Sequence, residues 1–209
     1  MLMSPKSIIS TLTSHLPEAT VDYCLSLWKE HPFELKLTKR RFSKVGDFCA
    51  PRGKSPIITL NNDLNPYLFL LTYVHEVAHH FVHKKFGARI EPHGQEWKDE
   101  FKELMLPLLK ESAFPPEILH ELQRHMADPK ASSFADTALT NSLRRYDPEH
   151  AHSVQLSEVA EGSVFKLQGK YFKKGKLRRT RVVCKEMKTR RLYLVPADSL
   201  VGDVQLSLL

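Results

Sequence analysis

The sequence predicts an α+β chain on three observations: short alternating apolar runs between residues 33 and 60, one long apolar helix after them, and only β-like runs beyond residue 154. At 209 residues the chain has room for one domain with a substantial core and a small appendage. The change of pattern places a boundary near residue 150, which gives a domain over 1–150 and a basic, β-rich annex over 151–209.

In chain order, Val21, Cys24, Leu25, Leu27 and Trp28 recur at helical spacing between Glu18 and Glu30. His31-Pro32 ends that helix, because the residue before a proline avoids the α region. Phe33, Leu35 and Leu37 alternate with charged residues, and the run Ile57-Ile58-Thr59-Leu60 follows a turn region from Pro51 to Pro56. These segments predict strands of a small sheet, with a third near Val45 to Cys49. Asn65-Pro66 is a helix start, an N-cap followed by proline at the first helical position, and Gly87 is a helix stop. The enclosed helix has about 21 residues and a length of roughly 31 Å. Its first half, Tyr67 to Val74, is apolar nearly all round, so it must be buried on most sides. Beyond His93-Gly94, the spacing of Trp97, Phe101, Leu104, Met105 and Leu108 predicts a second helix, and Pro115-Pro116 opens a third that runs through Met126. Asp128 to Ser133 and Asp147 to Ser153, the latter with His150 and His152, read as loops. The annex shows β-like runs at Val164–Leu167, Thr180–Cys184 and Leu192–Val195, separated by Gly169, Gly175 and charged turns.

Composition narrows the function classes. The three cysteines, Cys24, Cys49 and Cys184, are far apart and form no C-x-x-C pair, which argues against a disulfide framework and against a cysteine metal site. Cys24 and Cys184 are expected to pack as small hydrophobes and Cys49 to be partly exposed. Residues Met1 to Pro17 hold scattered apolar side chains without the unbroken stretch of a signal peptide. The longest apolar run, around Tyr67 to Leu71, is far short of a bilayer span. A soluble cytoplasmic protein with no membrane partner is the expectation.

The chemistry-bearing motif is His75-Glu76-Val77-Ala78-His79, an H-E-x-x-H on the long helix. Residues four apart lie one turn above each other, so the two imidazoles can share one metal ion. Glu76 is about 100° further round and reaches a proton on a water at that ion. Zn²⁺ with three protein ligands brings the pKa of its water to roughly 7, and the implied chemistry is hydrolysis of a polarised carbonyl. For the third ligand, a metzincin pattern is excluded by Val82 and Lys85, which stand where glycine and histidine would be needed. His83 is about 12 Å along the helix axis from His75, too far to share an ion, and with His80 it reads as a surface residue. His93 is better placed, because Ala88 to Pro92 let the chain reverse, and Glu96 is the alternative. Trp28 and Trp97 read as core residues, with Trp97 one turn beyond His93 and able to brace the site.

These residues carry a resemblance to a known family. His75-Glu76-Val77-Ala78-His79 followed by His93-Gly94-Gln95-Glu96-Trp97 resembles the SprT-like metallopeptidases, whose third zinc ligand lies in an H-G-x-x-[FW] element. The run Arg41-Phe42-Ser43-Lys44-Val45-Gly46 with Ile57-Ile58-Thr59-Leu60-Asn61 is similar to the strands before that family's active helix. The resemblance spans about residues 18 to 112. It implies a zincin-like fold of a small sheet against helices, one Zn²⁺ on His75, His79 and His93, and Glu76 as general base. It further implies peptide-bond hydrolysis, directed in the family's eukaryotic DNA-repair members at proteins attached to DNA. Many bacterial members end in a zinc ribbon with C-x-x-C pairs, whereas residues 154–209 contain only Cys184. The annex is therefore expected to look like a ribbon without its cysteines, held by packing alone.

The formal charge is +7, and between Ser163 and Val195 twelve Lys and Arg face the single acid Glu186. Lys173, Lys174, Lys176, Arg178, Arg179 and Arg181 form the centre of that cluster, interleaved with Phe165, Tyr171, Phe172 and Tyr193. Such a pattern can neutralise phosphates and stack bases without base-sequence specificity. A solvated hairpin protected by edge lysines is the plainer alternative. Two functions compete at this point: a zinc endopeptidase acting on a protein or peptide substrate, and a nucleic-acid-binding module whose zinc site is structural or vestigial.

Overall fold

A computed structural model describes residues 4–41, 44–130, 136–147 and 154–205. Phe42, Ser43, the 131–133 part of the first expected loop and both His150 and His152 lie outside the described residues. The chain divides into two compact units, Met1–Leu143 and Arg144–Leu209.

The first unit opens with a helix that periodicity left unread, α1 (Pro5–His15). Its apolar residues are sparse but four apart: Ile8, Leu12 and Leu16 are buried on one face, and Ser4 caps the start by accepting from the Ser7 amide. A 3-10 turn over Glu18–Thr20 leads into α2 (Val21–Glu30), which buries Cys24, Leu25, Leu27 and Trp28. The Trp28 indole donates to Phe33 O at 2.9 Å and fixes how α2 hands over to the sheet.

That sheet has three strands, β1 (Glu34–Thr38), β2 (Gly46–Cys49) and β3 (Ile57–Asn61), in the order β1-β3-β2. β1 runs parallel to β3 and β2 antiparallel to it, so β2 is an edge strand. The long helix α3 (Pro66–Phe86) has the bounds its end signals predict. The Asn65 side chain accepts from the Tyr67 and Leu68 amides, while its amide nitrogen donates to Leu143 O at 2.9 Å. Residues Leu68 to Val74 are all buried, as an all-round apolar helix requires. Tyr73 Oη reaches Cys24 O at 3.0 Å and ties α3 to α2. After α3 come α4 (Gln95–Met105), a 3-10 turn at Leu106–Leu108, α5 (Pro116–Ala127) and α6 (Thr137–Arg144), the last unread in the sequence. No helix among the described residues is long and apolar enough to cross a membrane.

The second unit is a six-stranded antiparallel sheet in the order β4-β9-β5-β6-β7-β8. The strands are β4 (Val154–Gln155), β5 (Val164–Leu167), β6 (Lys170–Arg178), β7 (Arg181–Glu186), β8 (Leu192–Pro196) and β9 (Leu200–Gln205). Its core comprises Leu156, Val159, Phe165, Phe172, Val182, Cys184, Val195 and Val201, with no help from disulfides. Gly175 was expected to separate strands and instead lies inside β6, at an irregularity in register between Lys174 and Leu177. A Cβ there would stand 2.7 Å from Val183 O, so the close approach of β7 excludes any side chain.

Candidate metal centre

The central half of α3 presents His75 and His79 on one face, and the chain returns to them through residues 87–92. Gly87, at φ +81°, ends the helix and allows the reversal. His93 has φ +64°, a left-handed conformation that a histidine adopts at some cost, and Gly94 then caps α4. The strained residue is the one whose ring is turned back toward α3.

His75, His79 and His93 converge on their Nε2 atoms. The separations are 3.1 Å between His75 and His93, 3.3 Å between His75 and His79, and 3.0 Å between His79 and His93. Three mutually facing nitrogens cannot all be satisfied by hydrogen bonds among themselves. Each is either donor or acceptor, and in a ring of three at least one pair must be alike. A cation at the centre removes the conflict. Three nitrogens about 2.0–2.1 Å from one ion at tetrahedral angles stand about 3.3 Å apart, close to the observed triangle. Among the described residues this is the one cluster of His, Cys, Asp or Glu able to hold a metal. Glu96 is exposed and outside it.

Electrostatics favours the neutral imidazoles a cation needs. Burial, with the charges of His79 and His93 next, holds His75 well below the usual histidine range. Burial and then His93 take His79 down to about 4, and burial lowers His93. Glu76 is buried beneath β2, and desolvation followed by the Asp47 charge pushes its carboxyl up to about 8 in the absence of a cation.

Trp97 braces the cluster. Its ring lies 4.6 Å from that of His75, 4.7 Å from that of His93, and stacks on His79 at 5.3 Å. Its indole N–H points to His75 O at 3.4 Å, and Phe101 stacks behind it at 4.9 Å. Two residues to which the sequence assigns no role at the site also belong to the surroundings. Gly46 of β2 abuts Glu76. His125 of α5, buried and 3.4 Å from Asp136, is near enough for its charge to act on His75. Neither has a linear signal, because each comes from a different element. Beside His79 there is a pocket of about 160 Å³ whose walls include Phe48, Val82, His83, Ile90 and Pro92.

Two expectations need correction. His80 is not a surface residue: it is 1 % exposed, packed among Phe33, Phe48 and His31, with Nε2 3.1 Å from His31 O. Its position seven residues beyond Tyr73 puts it on the helix face turned to the sheet. His83 is half-buried against Phe48. In the second unit Lys174 cannot meet a phosphate, because its ammonium is buried and donates to Leu156 O, Ser157 O and Val159 O. Lys173, Lys176, Arg178, Arg179 and Arg181 are exposed. Of the interleaved aromatics, Phe165 and Phe172 are in the core, and Tyr171 and Tyr193 remain accessible.

Comparison with known proteins gives two curated relatives, both named Protein SprT. One, from Pseudomonas fluorescens strain SBW25, is 59% identical over 72 residues, covering 29% of this chain and 44% of that protein. The other, from Pseudomonas fluorescens strain ATCC BAA-477 / NRRL B-23932 / Pf-5, is 59% identical over 27 residues, covering 13% of this chain and 16% of that protein. The chain thus spans less than half the length of the curated relatives it matches. No family model and no solved structure matches it. The resemblance to SprT-like proteins, first carried by the two histidine motifs, is supported by these relatives.

Proposed function

We propose that the chain is a zinc-dependent endopeptidase with a zincin-like first unit. The observation that carries this reading is the Nε2 triangle of His75, His79 and His93 with Glu76 one residue along the same helix. When bound by these three imidazoles, Zn²⁺ supplies Lewis acidity and brings the pKa of a water toward about 7. The protein's own residues do the rest. Glu76 accepts the proton of the attacking water and passes it to the leaving amine, a role suited to a carboxyl in a dry site. Trp97 and Phe101 hold the imidazoles in place and exclude solvent behind them. The pocket beside His79 suits an apolar side chain of an extended substrate.

The test is cleavage of an unstructured protein by the zinc-loaded chain beside Glu76→Gln. The reading expects wild-type cleavage and a loss of at least about 100-fold in the variant at unchanged zinc content. Absence of cleavage in zinc-loaded wild type overturns it.

A second activity is favoured by one observation in the annex. Lys173 is directly opposite Lys185 and Arg178 directly opposite Arg181, like-charged cross-strand pairs on exposed residues. Such pairs destabilise a sheet unless an anion lies over them. Nucleic acid, bound without base-sequence preference, is the polyanion proposed, with Tyr171, two residues from Lys173 on the same strand face, as an exposed ring. Binding that falls steeply with salt and weakens on Lys173→Ala supports it; salt-independent binding or none sinks it. If nucleic acid binds while no peptide is cut, the chain is a binding module with a structural zinc site.

A further inference from the structure

Gly46 has no positive φ, so its backbone does not call for glycine. What it supplies is space. A Cβ at this position would stand 2.5 Å from Glu76 Oε1, 2.6 Å from Thr72 Cγ2 and 3.0 Å from Glu76 Cγ. The two neighbours differ in their ability to yield. Thr72 is buried and β-branched, with Oγ1 donating to Leu68 O at 2.7 Å, so its methyl group is fixed. Glu76 has three side-chain torsions and is the group that would swing away.

β2 itself cannot retreat cheaply. Gly46 pairs with Leu60 in the sheet, and the neighbouring Asn61, 1 % exposed, clamps the chain that enters β2. Its backbone N–H donates to Val45 O at 2.9 Å, and its side-chain amide donates to Arg41 O at 3.0 Å and to Lys44 O at 3.4 Å. Its Oδ1 accepts from Arg41 Nε at 3.0 Å. Both polar atoms of this buried side chain thus bond the approach to Gly46, and Oδ1 also accepts from Thr38 Oγ1 of β1 at 3.5 Å.

We propose that Gly46 is a positioning residue for Glu76: the volume its missing side chain leaves is the slot that seats the carboxylate against β2, and Asn61 keeps that slot in place. The inference rests on the hydrolytic reading, in which Glu76 handles the proton. A shift of about 1 Å in a reacting group costs on the order of 100-fold in rate.

The experiment has two arms on the full chain. In the first, Gly46→Ala is compared with wild type for zinc content, kcat and KM. The expected result is full zinc content, kcat reduced at least about 10-fold and KM within about twofold. Moreover, Glu76→Asp, one methylene shorter, lowers kcat in the wild-type background and raises it in the Gly46→Ala background. Unchanged kcat in Gly46→Ala, or no rescue by Glu76→Asp, overturns the proposal. The second arm needs no activity. Denaturation midpoints of the zinc-free proteins are measured for Gly46→Ala alone and in a Glu76→Ala, Thr72→Ser background, where the blocking atoms are gone. A midpoint loss that disappears in that background supports the slot; an equal loss in both overturns it. Wild type that cuts nothing defeats the hydrolytic reading, and the second arm still decides whether Gly46 fixes the place of Glu76.

Discussion

His93 is the residue on which the candidate site turns. It is the one member of the histidine cluster contributed from outside α3, it accepts a left-handed backbone, and its Nε2 closes the triangle at 3.0 and 3.1 Å. His93→Ala is therefore expected to abolish stoichiometric zinc binding, and Glu96→Ala to leave it intact, when metal content is measured after gel filtration. The reverse pattern would return Glu96 to the site. The histidines also set how the zinc-free protein responds to acid. His79 and His80 are depressed from about 6.5 to about 4, chiefly by burial. A group whose folded pKa is lowered contributes stability above its unfolded value and loses it as pH falls through the folded one. Glu76 has the opposite sign, since burial raises it from 4.5 to about 8, and its contribution fades as pH rises through that range. With more histidines than carboxyls involved, zinc-free stability should peak near neutrality and fall more steeply toward pH 4 than toward pH 8. A urea midpoint that stays level from pH 4 to 7 would contradict this balance.

At the scale of elements, the reading of α3 succeeds because its end signals are local: an asparagine cap, a proline and a glycine need no knowledge of the rest of the chain. α1 and α6 were unread for the complementary reason. Each is amphipathic over few residues, and α1 is a helix whose apolar positions become a face only when α2 and α3 pack on it. β6 was unread because its sequence, Lys170 to Arg178, is dominated by lysine and contains a glycine. The strand buries Lys174 where a hydrophobe is expected, and that lysine closes the turn at Leu156–Glu158 through three carbonyls. Lys174→Met should lower the stability of the second unit by about 1–3 kcal/mol, the cost of leaving buried carbonyls unpaired. Its neighbour Lys173→Met, on the exposed side, should leave stability within about 0.5 kcal/mol. Far-ultraviolet circular dichroism with urea separates the two; equal effects would mean that Lys174 is not the clasp described.

For the molecule as a whole, the histidine cluster belongs to the first compact unit and the basic sheet to the second. Both tryptophans, Trp28 and Trp97, belong to the first unit. Their fluorescence therefore reports the unit that would bind metal and is silent about the other. Zinc at 100 times its dissociation constant should stabilise the fluorescence-monitored transition by about 2.7 kcal/mol, and a chelator should reverse that shift. If zinc leaves that transition unmoved, the histidine cluster does not bind it in the folded state.

The sequence by itself determined the α+β class, the small sheet, the bounds of α3, and the histidine and glutamate residues of the candidate site. These rest on periodicity, on capping chemistry and on the four-residue spacing that stacks side chains on one helix face, except His93, which rests on the room for reversal at Ala88 to Pro92 and on the family resemblance. What only the tertiary structure decided is which groups become neighbours across elements. Glycine 46 reads as an ordinary strand residue until β2 is seen against Glu76, and His80 reads as a surface histidine until the sheet covers its face of α3. The basic run of the annex likewise reads as uniform charge along the chain. Strand pairing turns it into two faces, one holding Lys174 among backbone carbonyls and the other holding Lys173 and Lys185 side by side. Chain order carries no record of such contacts, because they are made by residues that the fold, and not the sequence, brings together.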